Sequence, residues 1–248
     1  MVANIKREKL RFTDGLMDYL QLVDYRLAET AAEKDKIYQF RYKSYLRENT
    51  IDKDSSERFS DDYDQMDNCW IFGIDYQDQL ASSIRIHVAT SEQPKSPSLD
   101  VFPDIVFPLL ESGHKIIDPT RFVADSSTTN FFPVLPFLTF RLACMASDYF
   151  DADYCLIPVN AIHSSFYQRI FGLTPIGEPR HYPSLKSPIC LMKANVSTLW
   201  DGLIEQYPVF RSTFTERRML FEKSSGIVQG VNDHHFNINR LPDEKQLN

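Results

Sequence analysis

The sequence predicts an α+β protein with a mixed, mostly antiparallel central sheet that is flanked by helices. Three observations predict this class: helical periodicity over 31–46, two short strand-like segments at 69–76 and 79–88, and a strand–helix–strand order over 115–160. Helical and strand periods that follow one another along a chain in this way are typical of an α+β domain. The sequence shows no internal repeats or heptads.

The first long helix has a recognisable start. Thr30 is a suitable N-cap and Glu33 stands three residues later, which is the capping-box pattern. We therefore expect a helix over 31–46. Arg41 and Tyr45 are four residues apart within it, so they lie on the same helical face.

The strands at 69–76 and 79–88 are separated by only two residues, which fits a tight hairpin. Side chains alternate between the two faces of a strand. Leu80 is therefore expected on the apolar face of the second strand, and Arg85 on the opposite face.

The remaining segments complete the sheet and its helices. Residues 89–113 are rich in Ser, Pro and Asp and predict a long loop with a short amphipathic piece, and 126–133 predict a turn. Gly172 is expected to end a short helix as its C′ residue. Strands are expected at 115–124, 154–160, 173–178 and 188–194, and helices at 133–150, 161–171, 196–207 and 214–223.

Length and composition describe an ordinary globular chain. The 248 residues include 43% hydrophobic and 25% charged residues, which suits one large domain with additions. We expect a helical N-terminal extension at 1–24, a main domain at 25–195, and a helical or coil extension at 196–248.

Charge and targeting signals exclude several classes of protein. The net charge is -7, and nothing resembles the basic face that binds nucleic acid. The sequence shows neither a secretory signal nor an apolar run long enough for a membrane span. The four cysteines have no C-x-x-C spacing, which favours free thiols in a reducing compartment. The six histidines show no metal-ligand spacing. The expected location is the cytoplasm.

Charged and aromatic residues recur at the ends of these elements. Each pair alone is typical of a surface ion pair, and together they could form a structural salt-bridge network. Their order is distinctive: Arg41-x-x-x-Tyr45 on the first helix, Asp61 and Asp64 before the hairpin, Arg85 on its second strand, and Asp118-x-x-Arg121-Phe122 on the third strand.

This order and spacing resembles the acyl-homoserine-lactone (autoinducer) synthases of quorum sensing and the long-chain N-acyl amino acid synthases. The resemblance implies that residues 25–195 form an acyltransferase domain with the GNAT fold. The chain departs from these families in three places: Asp118 stands where they carry Glu, Tyr45 where they carry Phe, and the stretch 47–52 lacks their Trp. The missing Trp favours an amino acid over S-adenosylmethionine as acceptor.

The resemblance and the chemistry of acyl transfer together suggest roles for these residues. Asp118 is the candidate base, and Asp61 and Asp64 are candidates for holding the acceptor ammonium or sharing that role. Arg41 and Arg121 could bind the acceptor carboxylate or tie the three aspartates into a network, and Tyr45 and Arg85 are further substrate-binding candidates. The remaining candidates are Phe122, Val123 and Ala124 as an oxyanion site and Phe137 and Phe140 as part of an acyl tunnel. Plain core packing is the alternative for the last two.

The predicted function is transfer of a fatty acyl group from acyl carrier protein to the amine of an amino acid or a derived acceptor, with no bound cofactor or metal. The segment 124–136 contains no glycine, which disfavours a coenzyme A pyrophosphate loop, although acyl-CoA stays open as donor. The alternatives are an acyl-homoserine-lactone synthase that uses S-adenosylmethionine, a lesser-known acyltransferase of the same superfamily, and a non-catalytic acyl-carrier or lipid-binding module. Basic candidates for docking the acidic carrier protein are Arg141, Arg169, Arg180 and Lys186.

Overall fold

A computed structural model describes residues 15–223, and these form a seven-stranded sheet with helices on both faces. The strands are β1 (Val23–Leu27), β2 (Cys69–Tyr76), β3 (Gln79–Ala89), β4 (Ile116–Ala124), β5 (Tyr154–Asn160), β6 (Thr174–Arg180) and β7 (Ile189–Asn195). The helices with described ends are α1 (Ala31–Arg47), α2 (Pro97–Val101), α3 (Pro103–Glu111), α4 (Ser126–Phe131), α5 (Leu135–Tyr149), α6 (Ser164–Phe171), α7 (Val196–Gln206) and α8 (Phe214–Phe221).

The sheet order is β1-β2-β3-β4-β5-β7-β6, and its neighbours are antiparallel except for β4 and β5. Those two strands run parallel and pair only at Ile116 with Tyr154 and at Ile117 with Cys155. Because β4 continues to Ala124, most of its length is not paired with β5. The predicted α+β class with a mostly antiparallel sheet is confirmed.

The two faces of the sheet carry different cores. Helix α5 covers one face, where Ile84 and Ile86 of β3 pack in the main hydrophobic cluster. Helix α1 packs against β2 on the other face through Ile37 and Ile71. Helices α2 and α3 cover a third cluster that includes Phe102. Arg85 is the neighbour of Ile84 and lies on the α1 face, as strand alternation predicts.

Three local signals from the sequence are confirmed. Thr30 and Glu33 form the capping box that begins α1. The two residues between β2 and β3 both have positive φ, the geometry of a tight hairpin turn. Gly172 follows α6 with φ +64°, and its N–H donates to the carbonyl of Gln168. That left-handed conformation is one that glycine adopts at little cost.

Two predicted loops contain helices instead. The segment 89–113 was expected to be a long loop with a short amphipathic piece around 106–110. That piece lies within α3, and α2 precedes it; each helix has a proline in its first turn, where a missing N–H costs nothing. The predicted turn at 126–133 contains α4, which Asp125 caps by accepting a hydrogen bond from the backbone N–H of Thr128 at 3.0 Å. The Pro, Ser and Asp residues that suggested loops and turns in both segments are therefore found at the N-termini of helices.

The prediction for Leu80 is wrong because β3 does not alternate throughout. A register shift between β2 and β3 lies between Ile74 and Asp75, so Asp75 pairs with Leu80 while Ile74 pairs with Ser82. This bulge turns Leu80 to the α1 face, where its Cδ1 lies against Gly73. A bulge of one residue reverses the face of the side chains beyond it.

Segments on both sides of 25–195 contribute to the same core as the sheet. Leu16 comes before it and Tyr207 and Phe210 come after it, and all three belong to the main cluster. The boundaries at 24 and 195 stay predictions, and residues 1–14 and the predicted polar coil after 223 lie outside the described residues. Within 15–223, no helix combines the length and apolar character needed to cross a bilayer.

Arg141 is not a surface docking residue as predicted, because it is 1% exposed and ties α5 to the chain after α7. Its guanidinium donates to the carbonyls of Val209 (2.7 Å) and Arg211 (2.9 Å) and pairs with Glu216. We expect Arg141→Met to lower the free energy of unfolding by about 1–3 kcal/mol for each partner left unsatisfied and buried. Urea denaturation measures this loss.

The matched control for Arg141 is Arg169→Met, because Arg169 is exposed on α6. This change is expected to stay within about 0.5 kcal/mol of the wild type. Equal stability of the two variants would contradict the anchoring role of Arg141.

Candidate functional site

The arginines and aspartates predicted from the sequence meet on the α1 face of the sheet. Asp64 Oδ1 accepts from Arg41 Nη1 at 2.8 Å and lies 3.2 Å from Arg85 Nη1. Asp61 pairs with Arg85 and accepts from Arg121 Nη2 at 2.6 Å. The five side chains therefore form one continuous network, which joins α1, the segment before β2, β3 and β4.

The two aspartates are held by a short 3-10 turn, Asp62–Gln65. Asp61 Oδ1 accepts from the backbone N–H of Tyr63, and Asp64 Oδ2 accepts from the backbone N–H of Asp61 at 3.0 Å. This reciprocal capping fixes both carboxylates against the arginines. Asp64 is 1% exposed, so this part of the acidic segment before β2 is buried rather than solvated.

The network keeps both aspartates ionised. Burial by itself would raise the pKa of Asp61, but the charges of Arg85 and Arg121 outweigh it and lower the pKa to about 2. Burial also opposes ionisation of Asp64, yet Arg41 and Arg85 hold its pKa below the usual value. At neutral pH both groups are anions that bind protons weakly, so they suit holding a cation better than abstracting a proton.

The network carries one excess positive charge, because three guanidinium groups face two carboxylates. Arg41 and Arg85 are both 0% exposed. Among the described residues, four buried nitrogens of the network have no hydrogen-bond partner: Arg41 Nε, Arg41 Nη2, Arg85 Nη2 and Arg121 Nε. Buried donors of this kind are costly unless a partner satisfies them, so the cluster is suited to an anionic group.

Arg121 reaches the network through a bulge in β4. Its φ is +52°, a left-handed conformation that is costly for a residue with a Cβ atom. The register with β3 shifts at this point, from Thr120 opposite Arg85 to Val123 opposite Ser83. The bulge turns Arg121 toward the aspartates. The predicted oxyanion-site residues Phe122, Val123 and Ala124 follow the bulge and lie beyond the end of the β4–β5 pairing at Ile117; their role stays a prediction.

Aromatic rings surround the Arg121 guanidinium. Its Cζ lies 4.1 Å from the ring centre of Phe59, 5.4 Å from Tyr182 and 5.9 Å from Tyr45. The hydroxyl of Ser184 lies 3.4 Å from its Nη2. Of these neighbours only Tyr45 was predicted, since Phe59, Tyr182 and Ser184 come from loops that sequence periodicity does not place. Cation–π contacts of this kind stabilise a buried cation.

Asp118 is the neighbour of this network but has different partners. It is fully buried, and its two oxygens accept from the backbone N–H and the hydroxyl of Ser98, each at 2.8 Å. Burial raises the pKa of Asp118 to about 6, against the lowering effect of these hydrogen bonds. A carboxyl group with a pKa near neutrality is suited to general base catalysis, and this role stays a prediction.

His87 lies beside this network and was not among the predicted residues. It lies directly across from Asp118 in the β3–β4 register and is fully buried. Its Nε2 is 3.1 Å from the carbonyl oxygen of Tyr63. The alternation that places Arg85 on the α1 face also places His87 there, so the signal was present in the sequence.

Phe137 and Phe140 lie away from the charged network, on α5 at the opposite face of the sheet. Phe140 stacks on Phe171 with ring centres 4.3 Å apart, and Phe137 lies 5.4 Å from Tyr207. Both are almost fully buried in an aromatic cluster that also contains Phe210. Their role in lining an acyl tunnel stays a prediction.

The other predicted docking residues have varied surroundings. Arg180 Nη2 donates to Asp104 at 2.7 Å, and Lys186 pairs with Asp52 at 2.8 Å. Arg169 is exposed. Among the residues that the structure describes, no group of three His, Cys, Asp or Glu side chains is placed to hold a metal ion.

A seven-stranded, mostly antiparallel sheet whose two central parallel strands pair at only two positions is the fold of the GNAT-type N-acyltransferases. The family model described as "FeeM: N-acyl amino acid synthase FeeM" matches residues 36–195. The chain belongs to this family of acyltransferase enzymes, as the sequence motifs predicted.

Solved structures show the same fold at low sequence identity. The structure of FeeM, an N-acyl amino acid synthase from uncultured soil microbes, has a TM-score of 0.62 and 17% identity, covering 74% of this chain and 96% of that chain. TofI, solved in a ternary complex with an inhibitor and MTA, has a TM-score of 0.53 and 14% identity, covering 76% of this chain and 99% of that one. BjaI, a CoA-dependent acyl-homoserine lactone synthase solved with MTA, has a TM-score of 0.51 and 11% identity, covering 75% and 89%. No curated protein sequence matches the chain significantly.

Proposed function

We propose that this N-acyltransferase moves a fatty acyl group from acyl carrier protein to the amine of an amino acid. The observation that carries the proposal is the buried charge excess of the arginine–aspartate network, with its four unpartnered N–H donors. An amino acid supplies both an anion and a cation, and the network offers complementary groups for each.

The acceptor carboxylate fits the arginine side of the network. Arg121 Nε and Arg85 Nη2 are buried donors without partners, and a carboxylate can accept from two guanidinium N–H groups at once. The acceptor ammonium fits Asp61, whose side chain is 23% exposed and ionised. Loss of the substrate carboxylate therefore costs about 1.5–3 kcal/mol of binding for each charge-assisted hydrogen bond.

The choice of acyl carrier protein as the acyl donor rests on the N-termini of α4 and α5, the two helices that follow β4. Coenzyme A pyrophosphate binds to free N–H groups at a helix N-terminus. In α5 the first-turn N–H groups of Leu135 and Phe137 already donate to local carbonyls, and Pro136 has none. In α4 the carboxylate of Asp125 accepts from Thr128 and brings a negative charge. A phosphopantetheine arm on a carrier protein does not need such a pyrophosphate site.

The chemistry assigned to the site is aminolysis of a thioester. The acceptor ammonium gives a proton to Asp118, directly or through a water, and the free amine attacks the thioester carbonyl carbon. The carbon–nitrogen bond forms and the carbon–sulfur bond breaks. The sulfur leaves as a thiolate, which takes the second proton of the attacking nitrogen, and Asp118 afterwards releases its own proton to water. Backbone N–H groups of Phe122, Val123 and Ala124 are assigned to stabilise the developing oxyanion.

The test incubates the enzyme with one long acyl chain carried either on acyl carrier protein or on coenzyme A. Acceptors are a panel of amino acids, the decarboxylated amine of each, and S-adenosylmethionine, and products are read by mass spectrometry. We expect an N-acyl amino acid from the carrier-protein thioester and little product from the amines. Equal turnover of an amino acid and its amine would contradict the carboxylate site, and faster turnover of the coenzyme A thioester would contradict the carrier-protein donor.

Two other outcomes of this assay identify the alternatives. An acyl-homoserine lactone formed from S-adenosylmethionine alone would assign the protein to the autoinducer synthases. Binding of acylated carrier protein without any product would assign it to a non-catalytic module.

A cytoplasmic location belongs to the same proposal, since the described cysteines are all free thiols, as expected in a reducing compartment.

A further inference from the structure

His87 has a defined tautomer in this structure. A carbonyl oxygen can only accept, so the 3.1 Å contact between His87 Nε2 and the Tyr63 carbonyl requires the hydrogen to be on Nε2. In the neutral ring the other nitrogen, Nδ1, is then a bare acceptor, and it is buried without a partner. The His87 ring also lies edge-on to the Tyr63 ring, with centres 5.7 Å apart.

The surroundings keep His87 uncharged at neutral pH. Burial lowers the pKa of His87 to about 3, and the positive charge of Arg85 on the same strand acts in the same direction. Asp61 and Asp64 in the turn act in the opposite direction but do not outweigh burial. Asp118 is the residue of β4 that pairs with His87 in the β3–β4 register. The His87 ring therefore stays neutral near pH 7, with its single N–H at Nε2.

Tyr63 occupies the middle of the turn that carries both aspartates, between Asp61 and Asp64. The carboxylates fix that turn to the arginines, and the Tyr63 carbonyl is the point where its backbone is bonded to a β3 side chain. We propose that His87 is a positioning residue, whose Nε2–H bond to Tyr63 orients Asp61 toward the acceptor ammonium. This inference rests on the proposed function.

The test compares His87→Gln with His87→Phe. The glutamine amide nitrogen can occupy the place of Nε2 and donate to Tyr63, whereas phenylalanine fills the space of the ring and donates nothing. We expect His87→Phe to raise the acceptor KM about three- to tenfold, as the loss of one hydrogen bond allows. The KM for the acyl thioester is expected to stay unchanged, and His87→Gln is expected to restore most of the acceptor affinity.

If His87 only supports the fold, the Gln and Phe substitutions are expected to change the KM values to the same extent. Equal KM values for the Gln and Phe variants, or a parallel loss of affinity for acceptor and thioester, would overturn the inference. Urea denaturation confirms that each variant is folded under assay conditions.

A second measurement separates this inference from the proposed function, because it needs no activity. Long-range 1H–15N spectra of the wild-type protein are expected to show His87 as the Nε2–H tautomer, unchanged between about pH 5 and pH 8. Titration of His87 in that range, or an Nδ1–H tautomer, would overturn the inference even if the enzyme makes the expected product. The expected spectrum together with no product in any assay would instead reject the proposed function.

Discussion

Asp64→Asn is expected to lower the free energy of unfolding by about 3–5 kcal/mol, because it leaves the buried Arg41 without a counter-charge and Arg85 with only one of its two. Asp64 and Arg41 both have fully buried side chains, and Asp64 Oδ1 lies within 3.2 Å of both Arg41 and Arg85. Arg41 in particular has no other salt-bridge partner within residues 15–223. Urea denaturation of the variant and the wild type measures the difference.

The control is Asp52→Asn, because Asp52 is 88% exposed in its pair with Lys186 and is expected to contribute less than about 1 kcal/mol. If both Asn variants are equally stable, the buried pair does not contribute as we infer. The double variant Arg41→Met with Asp64→Leu removes both charges and is expected to recover much of the stability. Activity that stays lost in this stable double variant assigns the pair to the site as well as to the fold.

Acid is expected to weaken the same network. The pKa values of Asp61 and Asp64 are lowered in the folded protein. Their contribution to stability is therefore complete above their unfolded pKa near 4 and is lost as the pH falls through the lowered values. Asp118 is expected to have the opposite effect on stability, because burial raises its pKa instead of lowering it.

Part of this network could be placed from the sequence, because Arg41 and Arg85 lie on a regular helix and a regular strand. Alternation along β3 assigns Arg85 to one face, and helical spacing assigns Arg41 to the inner face of α1. Asp61 and Asp64 are separated by the three-residue interval of a capping box, which local chemistry alone can form. Arg121 is different, because it joins the network through a bulge in β4 that no regular period predicts.

Other neighbours could not be predicted, since they depend on loops and bulges. Phe59 and Tyr182 reach Arg121 from two loops whose course follows tertiary packing rather than a period. Leu80 changed face because of a single register shift, which leaves no mark in the hydrophobic pattern. The partner of Asp118 is Ser98, and the segment that carries it was expected to be a loop.

Asp118→Asn is expected to reduce kcat/KM by about 10²–10⁴, the range that a general base contributes. The change suits the test because it preserves the local bonds. The asparagine carbonyl can accept from the Ser98 N–H, and its amide can donate to the Ser98 hydroxyl, which both accepts and donates. Stability at pH 7 is expected to be kept or increased, because the folded state no longer holds a buried charge.

The pH dependence decides whether Asp118 is the base or only an anchor for α2. With Asp118 as the base, kcat/KM of the wild type rises with pH through a limb near its pKa of about 6. The contribution of Asp118 to the free energy of unfolding changes in the opposite direction from kcat/KM. It falls as the pH rises from the unfolded pKa toward 6, since the folded state favours the protonated acid. In Ser98→Ala the hydroxyl that lowers the pKa of Asp118 is gone, so the limb is expected to move to higher pH. A limb that stays in place in Ser98→Ala, together with full activity of Asp118→Asn, would assign proton transfer to another group and leave Asp118 as the anchor between β4 and α2.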